Sequence, residues 1–392
     1  MSKITTIKAT RIIRASPEII WEALTQASRL REWMSDAART VPRKGRLFDV
    51  WWNSGYEARG VFTSYLPPRT LAFTWGSASE PGETTVKVTL RPVEGGTKVT
   101  LTHSGFGAGK KWAGRAEESE REWNGGLDNL KSVLETGFDL RQMDQPRLGL
   151  GWETAPGEKG ALVNAVITGG PCDQAGLAKG DVIVRFAGRK VKSEQDLLAI
   201  FFSCRAGQRV PVTFLRKDER NKTTIELGKR SIPQVPDDPI VLVEQVRQAH
   251  EQAIAALRTA VMMIRDEQAG RAPAEGEWSV KQVLAHLSAS ERAFQQWMVD
   301  VLLGNETYGI AGQLPEQFTA VFATTPTAGA LLDRFEHDLA ESRAIVASLT
   351  PDHRANKWRY RQIAQMLLAF QGHTGDHLQQ IQKTIETIKS QT

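Results

Sequence analysis

The apolar residues of this 392-residue chain change their spacing twice, and this limits the folds the chain can adopt. The first part mixes strand-like alternation with helical segments, the second has short apolar runs between glycine-rich turns, and the third is helical throughout. Since one domain typically takes roughly 100–200 residues, we predict three domains, spanning 1–138, 145–230 and 240–392. The stretch 231–239 contains three prolines and is predicted to be a linker.

Charge and hydropathy exclude two classes of partner. The chain has 50 basic and 45 acidic residues, a net charge of +5, and no basic block, so we expect no nucleic-acid binding. No apolar run approaches the ~20 residues of a membrane helix, and the start has no signal-peptide pattern. We therefore expect a cytoplasmic protein without a membrane partner. Cys172 and Cys204 are too few for a disulfide framework and are expected to be small buried residues.

The first segment begins with an alternating strand up to Ala15. Ser16 and Pro17 suit the cap and first turn of a helix. Strands with turn signals follow over about 41–101, and an amphipathic helix is predicted over 111–136.

The stretches SPEIIWEALTQASRLREWM, GRLFDVWWNSG, LTHSGF and WNGGLDNLKSVLE in this segment resemble the SRPBCC (START-like) superfamily, specifically its branch related to activators of the heat-shock ATPase. The resemblance implies an α+β helix-grip fold with a cavity between the long helix and a curved sheet. A small-molecule ligand would occupy a cavity lined by Trp33, Trp51, Trp75 and Trp123. The alternative is that these tryptophans only fill the core.

The second segment resembles a PDZ domain of the type found in HtrA-like bacterial proteases, and the run PCDQAGLAKGDVI is its most diagnostic part. The resemblance implies a mainly-β module that adds a protein C-terminus as a strand. Its carboxylate loop would be Leu148, Gly149, Leu150 and Gly151, and the helix carrying Leu197 and Ile200 would form the other groove wall. Alternatively, the module only packs against its neighbours. The sequence has no GxSxG motif, which argues against a serine protease.

The third segment predicts an all-α four-helix bundle, with helices near 240–265, 279–303, 327–349 and 361–389. Ser279 and Gln282 form a capping-box pattern at the second helix. His373 and His377 are four residues apart, so their rings share one face of the last helix. His286 lies on the second helix and can meet them if the two helices face each other. The spacing alone is weak evidence for a metal site.

The stretches EWSVKQVLAHLSASE and QGHTGDHLQQI resemble the two motif regions of the DinB-like family, which includes transferases that use low-molecular-weight thiols. The resemblance implies a divalent metal (Zn, Ni or Fe) held by His286, His373 and His377, with a small thiol as co-substrate. Three ligands would leave a coordination position open, as in catalytic sites. Glu291 and Asp376 are the nearest acidic residues, and we interpret both as solvated helix charges.

The sequence therefore predicts a multidomain, divalent-metal-binding DinB-like protein. We expect a thiol-dependent transferase or hydrolase acting on a small molecule, with a small-ligand helix-grip domain and a peptide-binding PDZ module. The alternative is a non-enzymatic ligand-binding or scaffold protein in stress response. No catalytic residue is identified, and the sequence leaves a homodimer open.

Overall fold

The computed structural model describes residues 5–112, 114–143, 146–157, 159–229, 234–305 and 315–391. Backbone contacts divide the chain into two compact units, Met1–Ile232 and Pro233–Thr392. The first four residues and residues 231–233 of the predicted linker lie outside the described residues.

The N-terminal domain is a seven-stranded antiparallel sheet in the order β1-β7-β6-β5-β4-β3-β2. Its strands are β1 (Thr5–Ile13), β2 (Ala37–Thr40), β3 (Leu47–Trp51), β4 (Glu57–Leu66), β5 (Thr70–Trp75), β6 (Thr84–Val93) and β7 (Gly96–Phe106). Helices α1 (Pro17–Thr25) and α2 (Ala27–Trp33) follow β1, and the long α3 (Arg115–Thr136) packs against β1 and β7. The predicted helix-grip order is confirmed.

Local signals in the sequence explain where these helices begin and end. The side chain of Ser16 accepts a hydrogen bond from the Ile19 amide, and Pro17 occupies the first turn of α1. Gly137 ends α3 in the left-handed conformation, with φ of 75°, which a residue without a side chain adopts without strain. A short helix α4 (Leu140–Met143) follows directly and packs against α3.

The second module is built around a five-strand path, β14-β13-β11-β10-β9, with β12 paired to β11 and a separate β8–β15 ribbon. The strands are β8 (Pro146–Arg147), β9 (Leu150–Thr154), β10 (Ala161–Val166), β11 (Val182–Phe186), β12 (Arg189–Lys190), β13 (Arg209–Arg216), β14 (Glu219–Glu226) and β15 (Gly228–Lys229). Helix α5 spans Pro171–Gln174, and α6 spans Glu194–Phe202 with Ser193 as its cap. The order places β9 at an edge of the sheet.

The C-terminal unit is helical over its described residues. Its helices are α7 (Pro239–Met262), α8 (Asp266–Ala269), α9 (Val280–Leu303), α10 (Pro315–Thr324), α11 (Ala328–Ala347), α12 (Pro351–Ala355) and α13 (Lys357–Ser390). The long helices α7 and α9 each pack against both α11 and α13. Both hydrogen bonds of the predicted capping box at Ser279 and Gln282 are present. Among the described residues, no helix has the length and apolarity needed to cross a membrane.

Buried polar side chains interrupt the core of this unit. One hydrophobic cluster includes Leu257, Leu284 and Leu331, and another includes Val246 and Phe294. At their junction the helices bury a polar group whose members are His250, Ser288, Glu291, Asp338 and Ser342. A buried polar group must be hydrogen-bonded or lose free energy, so this layer constrains how α7, α9 and α11 pack.

Candidate metal centre and ligand pockets

Helices α9 and α13 bring the three predicted histidines together. The Nε2 atom of His373 lies 3.1 Å from that of His377 and 3.2 Å from that of His286. One ring nitrogen from each of the three lies within 4.8 Å of the other two. All three side chains are half-buried.

The spacing of the nitrogens fits a small divalent ion. Ligand nitrogens about 2.0–2.1 Å from a tetrahedral metal lie about 3.3 Å from one another, close to the two Nε2–Nε2 distances above. Burial lowers the pKa of His373, and the nearby charge of His377 lowers it further while Asp376 raises it. A lowered pKa favours the neutral imidazole, which is the form that binds metal.

Two neighbouring side chains hold the histidine rings in place. The Nδ1 atom of His377 lies 2.7 Å from Oε1 of Gln380. Because a carbonyl oxygen only accepts hydrogen bonds, Nδ1 carries the proton and the lone pair lies on Nε2. The indole of Trp278 packs on His286, with ring centroids 4.9 Å apart, and is stacked with His377 at 6.5 Å.

A cavity of about 500 Å³ adjoins the triad at His377. Its wall includes Trp278, Gln380 and the oppositely charged Glu277 and Lys383. Both charged residues are exposed, so the cavity is open to solvent and offers one acidic and one basic group to a small molecule. Gln380 and Lys383 were not predicted as site residues. Gln380 lies three residues beyond His377, on the neighbouring turn of α13, and this spacing was the available signal for it. Lys383 lies a further three residues along and lines the same cavity.

Glu291 is not the solvated helix charge that we expected. It is 2% exposed, and burial raises its pKa to about 7, with the charge of Asp338 adding to the rise and Ser342 and Arg343 opposing it. Its Oε1 atom is buried without a hydrogen-bond partner. The error has a simple reason: position 291 lies on the same stripe of α9 as Leu287 and Phe294, both buried. Asp376 is exposed, as expected.

The N-terminal domain contains a cavity of about 400 Å³ between the sheet and α3. Its walls include Trp33, Trp75 and Trp123, three of the four predicted tryptophans, together with Trp52. The prediction of Trp51 is wrong. Side chains alternate across a strand, and the inward positions of β3 are the buried Phe48 and Val50, so residue 52 and not residue 51 continues the inward face.

Two consecutive glycines in the middle of α3 keep this cavity open. Gly125 and Gly126 both line it, although glycine in a helix interior costs about 1 kcal/mol relative to alanine. A Cβ atom built on Gly126 would lie 3.7 Å from the Trp33 ring. Larger side chains here would therefore grow into the cavity.

The indole nitrogens around the cavity are already hydrogen-bonded within the protein. Trp33 donates to the Ala23 carbonyl at 2.8 Å and Trp52 to the Met34 carbonyl at 2.8 Å. Trp75 donates to the Tyr56 hydroxyl at 3.3 Å. The tryptophans therefore present mainly apolar ring surface to the cavity.

A buried histidine completes this wall. Trp123 donates to Nδ1 of His103 at 3.0 Å, so Nε2 of His103 carries the proton and donates to Thr84 Oγ1 at 2.7 Å. Burial lowers the pKa of His103 to about 4, and the charge of Arg115 contributes. His103 is therefore a neutral core histidine.

The predicted peptide groove lies between β9 and α6. Gly149 has φ of 70°, and a Cβ atom on Gly151 would lie 2.5 Å from Asn164 Oδ1. The positive φ at Gly149 favours glycine in the module's own backbone. At Gly151 the close atom belongs to the Asn164 side chain, which can move aside. Leu148 is buried, and Leu150 pairs with Val166 on β10.

The groove wall differs from the one predicted. Leu197 is 0% exposed and Ile200 is 3% exposed, and both belong to the module's core. Side chains buried this deeply offer no surface to a peptide. Phe201, the next residue of α6, contacts Trp152 of β9 with ring centroids 6.3 Å apart. In this structure Leu197 and Ile200 therefore pack in the core of the module and do not form the predicted groove wall.

Both cysteines are buried and free, as expected. Burial raises the pKa of the Cys172 thiol to about 12 and also raises that of Cys204. Neither side chain is therefore a reactive thiolate near neutral pH.

Family models match three successive parts of the chain. Residues 14–135 match the activator of Hsp90 ATPase homolog 1-like protein, 146–227 match the PDZ domain, and 244–381 match the DinB superfamily. The solved structures that resemble the chain include protein MLL2253 from Mesorhizobium loti, which is 26% identical. The match covers 33% of this chain and 97% of that one, with a TM-score of 0.31.

Two further structures cover a similar share of the chain. The Aha1 dimer from Colwellia psychrerythraea is 26% identical, and the match covers 34% of this chain and 97% of that one, with a TM-score of 0.31. The HSP90 activator PFC0360w from Plasmodium falciparum is also 26% identical, with 33% and 95% covered and a TM-score of 0.30.

A curated relative is the probable periplasmic serine endoprotease DegP-like of Hahella chejuensis, 32% identical over 71 residues. The match spans 18% of this chain and only 15% of that relative. The three family-model matches show that the chain carries, in this order, a domain like the activator of Hsp90 ATPase homolog 1, a PDZ domain and a domain of the DinB superfamily.

Proposed function

We propose that the C-terminal domain binds one divalent metal ion through His286, His373 and His377. The observation that carries this proposal is the convergence of the three Nε2 atoms, at 3.1 and 3.2 Å, from two different helices. Three neutral imidazoles suit zinc, nickel or ferrous iron. The match to the DinB superfamily supports the same proposal.

The chemistry we propose is metal-assisted transfer or hydrolysis on a small molecule. A divalent ion in such a site lowers the pKa of a bound water or thiol, so that a nucleophile is available near neutral pH. Gln380 holds the proton on Nδ1 of His377 and keeps the ring oriented. Trp278 shields one side of the histidines from water.

A thiol nucleophile would have to come from a small molecule, because Cys172 and Cys204 are buried in the PDZ module and their thiol pKa values are raised. The cavity of about 500 Å³ beside His377 is large enough for such a molecule. Glu277 and Lys383 in its wall would bind an amino and a carboxylate group. We therefore favour a low-molecular-weight thiol as co-substrate of a transferase.

The other two domains would bind ligands of different kinds. The cavity beneath α3 would take a small, largely apolar molecule between its tryptophans. The free edge of β9 would accept the C-terminus of a protein as an added strand. A homodimer and a cytoplasmic location remain expectations from the sequence.

One observation favours the non-enzymatic alternative. Glu291, the buried acid closest along α9 to His286, interacts with Ser342, Asp338 and Arg343 of α11. It therefore belongs to the polar layer of the core. In the alternative, the metal would stabilise the helical domain of a scaffold protein.

The proposed activity is tested by incubating the metal-loaded full chain with a small thiol and 1-chloro-2,4-dinitrobenzene, an electrophile that loses chloride to the thiol and gives a conjugate absorbing in the near ultraviolet. We expect conjugation above the uncatalysed rate with at least one of cysteine, glutathione and N-acetylcysteine, and its loss in His286→Ala. A panel of ester substrates tests hydrolysis in the same way. Metal binding without turnover of any of these substrates would favour the scaffold.

A further inference from the structure

The linker between the first two domains contributes an unusual group to the cavity beneath α3. Arg141 lies on α4, outside the stretches 14–135 and 146–227 that match the family models. It nevertheless lines the cavity together with the tryptophans. Its charge therefore belongs to this chain's particular linker and not to the matched part of the domain.

The guanidinium of Arg141 is held rigidly but is not fully satisfied. Its Nε and Nη2 atoms donate to the carboxylate of Asp139, at 2.9 and 2.8 Å, and Nη2 also donates to the Arg31 carbonyl at 2.9 Å. The remaining nitrogen, Nη1, is buried and has no hydrogen-bond partner. A buried donor without an acceptor destabilises the protein because it has lost its hydrogen bonds to water, so an acceptor supplied by a ligand would recover free energy.

Hydrogen bonds of Asn129, a residue of α3, fix the position of the Asp139–Arg141 pair along that helix. Asn129 donates to Asp139 Oδ1 at 2.9 Å and to the Trp33 carbonyl at 2.6 Å. Asp139 is 5% exposed, so it cannot move without leaving its partners. The Asp139–Arg141 pair is therefore anchored at the level of Asn129, which also contacts the main chain of Trp33.

The opposite end of the cavity has the opposite charge. Glu122 also lines the cavity and is exposed. It lies seven residues before Asn129, which is about 10 Å along a helix that rises about 1.5 Å per residue. The cavity thus has an acidic group at an end that meets solvent, aromatic walls, and the guanidinium-bearing side chain of Arg141, which is anchored near Asn129.

We propose that the cavity selects a small aromatic molecule that carries an anionic group, a carboxylate or a sulfonate, bound by Arg141. The inference rests on the proposed use of this cavity as a ligand site. The aromatic part packs among Trp33, Trp75 and Trp123, and the anion accepts the hydrogen bond of Nη1. Glu122 would repel an anion at its own end of the cavity. The charge of Glu122 therefore also favours a ligand orientation in which the anionic group lies at the Arg141 end.

Two fluorescent probes with the same skeleton test this selectivity. 8-Anilino-1-naphthalenesulfonate carries one anionic group, and N-phenyl-1-naphthylamine is the same molecule without it. Both are titrated into the full chain and into Arg141→Met. We expect the parent to bind the sulfonate more tightly, and the variant to bind it about tenfold more weakly while its affinity for the neutral probe is unchanged.

Two further variants separate this inference from the cavity proposal and from a folding defect. Gly126→Leu fills the cavity beside Trp33 and should abolish binding of both probes. The double variant Asp139→Asn/Arg141→Gln removes both charges, so that no unpaired carboxylate is left buried, and should also lose the preference for the sulfonate. Melting curves of each variant report whether it is folded.

The outcomes are distinguishable. Equal affinity of the parent for both probes, or a sulfonate preference that survives in both Arg141 variants, overturns the role of Arg141 and leaves the cavity proposal standing. Unchanged binding of both probes to Gly126→Leu overturns the cavity proposal as well, because the probes would then bind elsewhere.

Discussion

The Nε2 atom of His373 lies 3.1 Å from the Nε2 atom of His377, one helical turn further along α13. The Nε2 atom of His286, 87 residues earlier in the chain, lies 3.2 Å from the same atom of His373. The first distance follows from helix geometry, since residues four apart share a face. The second depends on α9 packing against α13, so the site forms only in the folded domain.

Gln380→Leu should weaken metal binding without removing it. The variant loses the acceptor for Nδ1 of His377, so the ring can turn or move its proton to Nε2. Losing such an outer partner typically costs roughly 10–100-fold in metal affinity. Competition with a chromophoric zinc chelator measures the change. Gln382→Leu, at an exposed position two residues further on, is the matched control and should bind zinc like the parent.

Metal affinity should fall as the pH falls, because a ring nitrogen binds metal only when it is deprotonated. Burial lowers the pKa of His373, so this residue stays neutral to a lower pH than an ordinary imidazole does. We expect the zinc affinity to be nearly constant above about pH 7 and to fall steeply below about pH 6. Chelator competition across this range checks it. An affinity independent of pH would mean that the histidines are not the ligands.

Glu291→Gln should change how the stability of the helical domain depends on pH. Burial raises the pKa of Glu291 in the folded protein to about 7, above the ordinary glutamate value of 4.5. Between these two values the folded state binds a proton that the unfolded state does not bind. The free energy of unfolding of the parent therefore falls as the pH rises from about 4.5 through about 7. The glutamine variant does not titrate, so its advantage over the parent should grow across this window, on the order of 2–3 kcal/mol.

Urea unfolding followed by far-ultraviolet circular dichroism at several pH values measures this difference. Glu341→Gln changes an exposed glutamate of α11 and serves as the control, which should follow the parent at every pH. If Glu291→Gln also runs parallel to the parent, Glu291 is already ionised in the folded protein and the polar layer is better solvated than its burial suggests.

The main elements of the fold and the histidine cluster could be predicted because they depend on short-range patterns. Helical spacing located α7, α9, α11 and α13, and the residues Ser279 and Gln282 marked the start of α9. The pair His373 and His377 follows from one helical period. We did not predict the short helices α8, α10 and α12; α8 and α12, with four and five residues, are too short for a helical period to show.

Other features depend on contacts that no local pattern contains. Whether Trp51 or Trp52 faces the cavity depends on which residues of β3 point inward. A turn before the strand can shift this alternation by one residue. Arg141 and Asp139 lie in a polar stretch between domains, where a charge usually indicates solvent exposure. Only the fold shows that Asp139 is buried and that Arg141 lines the cavity beneath α3.

Peptides with a free apolar C-terminus should bind the PDZ module, and their amidated forms should not. Backbone N–H groups hold a carboxylate through charge-assisted hydrogen bonds, which amidation removes. Affinity should be modest, about micromolar or weaker, because a short peptide loses chain entropy on binding. Fluorescence anisotropy with paired acid and amide peptides measures it. Equal binding of the two forms would rule out recognition of the terminus.

Gly149→Val tests the loop itself. The φ of 70° at this position is unfavourable for any residue with a side chain, and most of all for a β-branched one. The variant should distort the loop and lose the acid-form peptide. Gly207→Ala also substitutes a glycine at positive φ, 78°, but in a turn away from the loop, so it controls for general strain and should retain binding. Loss of binding in both variants would point to destabilisation of the module.

The metal content of the chain tests the central claim most directly. The full chain is purified without a histidine tag, supplemented with zinc, nickel or ferrous iron, desalted and measured by elemental analysis beside His377→Ala and the control His353→Ala, whose histidine lies on α12 outside the triad. We predict about one divalent ion per chain in the parent and in the control, and a loss of most of it in His377→Ala, because two remaining imidazoles chelate weakly. Equal metal in the parent and in His377→Ala, or none in the parent after supplementation, would contradict the proposed metal centre.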